Sequence, residues 1–147
     1  MKTNKRFQIT FLIISSIAFL AIFSCSLESQ KMKGKWHMIT LDNKEIKIMD
    51  NPATYEFVDN GKCFFSIGDL PLVETYDWKL SGNKIVLTQN LATEVLELLE
   101  NRILVLSPEH FGTPGFFIKS TDKFTTDEFI SIIKRNKEKS NYLKAFK

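Results

Sequence analysis

Only two cysteines, Cys25 and Cys63, and two histidines, His37 and His110, occur in the 147 residues. So few thiols exclude a framework of several disulfides. Histidines and cysteines this scattered do not supply the three or four spaced ligands of a metal centre. No HExxH, CxxC or phosphate-cradling glycine loop is present. Ser107, Glu109 and His110 are neighbours in sequence, whereas the members of a catalytic triad meet in space. No catalytic residue, metal or cofactor is expected, and the chain reads as non-enzymatic. No repeat or low-complexity segment occurs. Charge of one sign is also scarce. The sequence has 20 Lys+Arg against 17 Asp+Glu, and Lys2, Lys5 and Arg6 precede Cys25 where no acid stands, so the rest carries 17 of each. With no net charge to drive it, nucleic-acid binding is not expected.

The one long hydrophobic run lies at the start. Behind the cationic Met1–Arg6, residues 7–23 carry no charge, and the run closes Ala21-Ile22-Phe23-Ser24-Cys25. A stretch this short is at the lower limit for spanning a bilayer core of ~30 Å, and its position behind positive charge suits a removable signal. The aliphatic residue at −3 and small residue at −1 before cysteine resemble a bacterial lipobox, with cleavage between Ser24 and Cys25. That resemblance implies a diacylglycerol on the Cys25 sulfur and a third acyl chain, palmitate or similar, on its amino group. The expected localisation is the cell envelope, lipid-anchored; Ser26 at +2 favours the outer membrane, and the lack of an acidic run favours its periplasmic face. Residues 1–24 are then signal and 25–32 a lipidated tether. With Cys25 acylated, Cys63 has no partner; its apolar setting, Lys62-Cys63-Phe64-Phe65-Ser66-Ile67, marks it as a core residue.

From Trp36 the chain reads as short strands between turn signals, the pattern of an all-β barrel or sandwich. Strands are predicted at Trp36–Leu41, Glu45–Met49, Thr54–Val58, Lys62–Ile67, Val73–Leu80, Lys84–Gln89, Thr93–Leu99, Arg102–Ser107 and Phe116–Lys119. Asp59-Asn60-Gly61 and Ser81-Gly82-Asn83 are hairpin signals, because Asn and Gly tolerate the positive φ of tight turns. Thr93–Leu99 has helical propensity but is too short for an isolated helix and lies between strands. Alternation turns His37 away from the face that carries Trp36.

The tail changes period. Thr125 followed by Glu128 is a capping box, and Phe124 with Phe129 has the spacing of a hydrophobic staple. Phe129, Ile132 and Ile133 share the face that should meet the barrel. Lys134, Arg135, Lys137, Lys139, Lys144 and Lys147 are read as a solvated face, with contact to anionic headgroups as the alternative.

Gly34-Lys35-Trp36 opening the first strand, then Tyr55-Glu56-Phe57 with Asp59-Asn60-Gly61, Tyr76-Asp77-Trp78-Lys79-Leu80-Ser81-Gly82-Asn83, Ile103–Leu106 and a closing helix resemble the lipocalin-like (calycin) family, and in particular small lipocalin-like lipoproteins of Bacteroidota. The resemblance implies an antiparallel up-and-down barrel of eight to nine strands over residues 33–120, with a C-terminal α-helix and tail over 121–147. There is no Thr-Asp-Tyr motif, and Lys119 or Lys123 stands in for the arginine that covers the tryptophan in the family. The expected function is non-catalytic binding of a small apolar ligand by a monomer, with Trp36, Tyr55, Phe57, Tyr76 and Trp78 facing inward to contact it. The alternative is a side-chain-filled barrel that binds an envelope protein or inhibits one.

Overall fold

Alternating side chains and turn residues give an antiparallel barrel in the computed structural model, which describes residues 30–42, 45–108, 112–136 and 139–146. The signal, Cys25 and the first part of the tether lie outside the described residues, as do Glu109 and His110. The strands are β1 (Gly34–Asp42), β2 (Glu45–Ile48), β3 (Ala53–Phe57), β4 (Lys62–Ile67), β5 (Val73–Ser81), β6 (Lys84–Gln89), β7 (Ala92–Leu99), β8 (Ile103–Leu106) and β9 (Gly115–Lys119). Each of β3 to β8 pairs with the next in order. The sheet closes through β1, which pairs with β3 over Gly34–His37 and with β9 over Trp36–Met38. Eight strands therefore form the barrel, and β2 is a ninth outside it, paired with the second half of β1 over Ile39–Asp42. Closure and the covering helix both fall within the single compact unit Lys33–Lys147, which thus contains its own core.

Turn chemistry sets the register. Glu100 and Asn101 adopt φ of 49° and 57°, and Leu99 faces Ile103 across them. The connection is the three residues Glu100–Arg102, and the two positive φ values turn it tightly enough for the Arg102 N–H to donate to the Leu99 carbonyl at 3.0 Å. Helical propensity in Thr93–Leu99 loses because, as a strand, the segment buries Leu96 and Leu98 on one face and Leu99 on the other. Gly68 (φ 52°) marks a close approach: a Cβ there would lie 2.9 Å from that of Asn51, and its N–H donates to the Pro52 carbonyl at 3.0 Å. The β4–β5 loop is thereby tied to the segment that precedes β3.

Two apolar layers share the wall. Inside lie Trp36, Tyr55, Phe57, Cys63, Ile85, Leu87, Leu96, Leu104 and Phe117, all 2% exposed or less. Outside, Ile39, Ile103, Val105, Phe116 and Ile118 pack against Phe129, Ile132 and Ile133 of helix α1 (Thr126–Arg135). This is why Ile103–Leu106 and Phe116–Ile118 are unbroken apolar runs: those strands are buried on both faces.

The helix is held at each end. Thr125 Oγ1 accepts from the Glu128 N–H at 3.2 Å and Glu128 Oε2 accepts from the Thr125 N–H at 3.3 Å, completing the capping box. Arg102 reaches from the β7–β8 side to Glu128 at 3.1 Å, with its guanidinium 4.0 Å from the Phe124 ring centroid. Arg135 grips both Glu100 oxygens at 2.7 Å, and Lys139 pairs with Glu97 at 2.9 Å. Part of the basic tail thus engages the chain's own carboxylates. A 3-10 helix, Ser140–Phe146, follows and places Tyr142 against the ring of Phe116.

Candidate functional site

The two ends of the barrel differ. At one end the chain enters β1, leaves β9, and makes the hairpins β3–β4, β5–β6 and β7–β8. Trp36 is fully buried toward this end, and Lys119 Nζ lies 5.5 Å from its ring centroid. This is the closed end. Of the two lysines considered for covering Trp36, Lys119 is the one beside its ring.

The other end carries the loops 68–72, 90–91 and 107–114 and the link 49–52. The pairings Trp36–Tyr55–Phe65–Glu74, Phe57–Cys63–Tyr76 and Trp78–Leu87–Glu94 place all of these side chains on the inward face. The five residues expected inside, Trp36, Tyr55, Phe57, Tyr76 and Trp78, are therefore all inside, but at two depths. Trp36, Tyr55 and Phe57 are sealed into the core, whereas Tyr76 is half-buried toward this end and Trp78 is half-buried nearer the closed end, where its backbone N–H donates to the Gly61 carbonyl of the β3–β4 hairpin at 2.8 Å. Phe65 and Glu94 are half-buried with them, and Glu74 reaches solvent. This end is called the mouth, because Phe65, Tyr76 and Glu94 on its inward face are less buried than Tyr55 and Phe57.

Ring packing joins these residues. Tyr55 meets Phe65 at 4.8 Å between centroids and Phe117 at 5.0 Å, and Phe57 meets Trp78 edge-on at 5.2 Å. Among the described residues the buried Nε1 of Trp78 has no hydrogen-bond partner. An indole N–H normally finds an acceptor when it is buried, so this donor stands ready for one.

Two carboxylates enter the aromatic lining. The Tyr55 hydroxyl donates to Glu94 Oε1 at 3.0 Å, and the Tyr76 hydroxyl donates to Glu74 Oε2. Burial, reinforced by the Glu94 charge and hydrogen bond, raises the Tyr55 phenol well above its usual range. Tyr76 is raised by burial, then by its bond to Glu74 and the charges of Glu74 and Glu94. Burial, with Glu94 adding to it, pushes the Cys63 thiol up to about 12. The negative field of Glu94 therefore reaches across the barrel interior.

Phe65, Glu74 and Glu94 did not stand out in the sequence as site residues. The signal was present in the alternation Glu74-Tyr76-Trp78 and Glu94-Leu96-Leu98, which places each glutamate on the face of the core residues that follow it. A charged residue at a strand end reads as solvated, and that reading hides an inward carboxylate at a barrel mouth.

The rim is apolar. Ile67, Leu70, Val73 and Met49 are exposed there, with Leu72 at 75% and Leu91 at 102% standing clear of the surface. His37 faces outward, its Nδ1 2.9 Å from Thr54 Oγ1, and burial and then Lys35 lower its pKa. His110 lies outside the described residues. Among the described residues no group of His, Cys, Asp and Glu is arranged to hold a metal ion, and no helix is long and apolar enough to cross a membrane. No family model, curated protein or solved structure matches the chain.

Proposed function

We propose that the chain is a membrane-anchored, non-catalytic, lipocalin-like binding protein of the cell envelope, held by lipid on Cys25, with a small ligand of apolar body in the barrel mouth. The observation that supports this reading is the difference between the two ends. Phe65 and Tyr76 are half-buried on the inward face beneath an apolar rim, while Trp36 and Phe57 nearer the other end are fully buried. Eight strands leave room for side chains or one small ligand.

The test is titration of residues 26–147 with a neutral apolar dye, N-phenyl-1-naphthylamine. Saturable enhancement at one dye per chain, lost when Ala92 at the mouth is changed to tryptophan, is the expected result. Ala92 faces inward beside Gln89, so a large ring there plugs the mouth. Unsaturable or undiminished binding removes the reading.

A second reading, a protein-interaction or inhibitor module, draws on the exposed rim itself. Isolated apolar side chains are ordinary, but several around one opening mark a contact surface. Leu72→Asp together with Leu91→Asp separates the two: dye binding inside the mouth persists, whereas capture of an envelope protein on the rim is lost.

A further inference from the structure

We draw no further inference here: the strongest candidate, the exposed apolar rim of Ile67, Leu70, Leu72, Val73 and Leu91 at one end of the barrel, carries nothing because no feature among the described residues shows what covers it.

Discussion

The ammonium of Lys119 lies 5.5 Å from the centre of the Trp36 ring, and opposite Trp36 on the other side, across β1–β3, stands Tyr55. A cation thus stands beside the indole, and Tyr55 is its neighbour in the strand register. Burial lowers the Lys119 pKa from its usual value, although Asp122 works against that shift. Trp36 is therefore part of the floor of the mouth rather than its lining.

Trp36→Ala should destabilise the barrel by ~3–5 kcal/mol, the range for deleting a large buried aromatic. Urea unfolding of the variant beside the parent chain measures it. A loss below about 1 kcal/mol would mean that the ring is not the plug the packing makes it.

Tyr55 and Tyr76 give the stability a defined alkaline limb. Both have folded-state pKa values raised above the usual 10.0 of the unfolded chain. For a group raised on folding, the stabilisation is complete below the unfolded pKa and is lost as pH climbs through the folded one. Stability should hold up to about pH 10 and then fall, as unfolded tyrosines ionise and folded ones do not. In phenolate absorbance, the signal of these two residues should appear with unfolding rather than before it. Tyr55→Phe should make the alkaline fall shallower; an unchanged slope would contradict the assignment.

Most of the architecture was legible in the sequence because the barrel is built from local rules. Asn60-Gly61, Gly82-Asn83 and Glu100-Asn101 each set a hairpin, and the strands between them alternate. Thr125 and Glu128 announced the helix, and the predicted face of Phe129, Ile132 and Ile133 is the buried one. What alternation alone could not reveal is depth. Tyr55 and Tyr76 share a face and a residue type, yet one is sealed and the other half-open. That difference comes from strand tilt and closure through β1, which depend on long-range pairing. The inward glutamates were missed for the same reason: a barrel end is solvent-exposed and interior at once. Closure by β1 to both β3 and β9, with β2 left outside, likewise has no local signature.

The capping box should contribute modestly. Thr125→Ala removes the acceptor for the Glu128 N–H and should cost about 0.5–2 kcal/mol. The depressed Glu128 pKa, caused first by Arg102 and then by the Thr125 backbone, means that this support is present above the usual carboxylate range and is lost as acid protonates Glu128. The cost of Thr125→Ala should therefore shrink toward low pH, where half of the reciprocal pair is already gone. A pH-independent difference in thermal unfolding would separate the cap from its acidic partner.

The proposed membrane attachment is through Cys25, by lipid on its sulfur and its amino group. Cells expressing the full chain with Cys25→Ala should fail to incorporate labelled fatty acid into the protein, and the protein should persist in its uncleaved form or leave the membrane fraction after release. Incorporation of label into the variant would remove the lipoprotein assignment. Protease treatment of intact cells that digests the domain would reverse the expected periplasmic orientation.

Cys63 separates the core from the mouth by chemistry. It sits opposite Tyr76 on the inward face, yet it is fully buried, with its thiol pushed up to about 12 by burial and secondarily by Glu94. The thiolate is the reactive form, so a buried thiol with a raised pKa resists reagents that modify an ordinary cysteine of pKa ≈ 8.5. In residues 26–147, where Cys63 is the only cysteine, a thiol reagent at pH 8 should label the native protein at least about a hundredfold more slowly than the denatured one, because reaction must await opening of the barrel. Binding of a ligand in the mouth should slow labelling further, since it stabilises the closed state. Rapid labelling of the native chain would place Cys63 in the lining of the mouth instead of beneath it and deepen the accessible cavity by one layer of side chains.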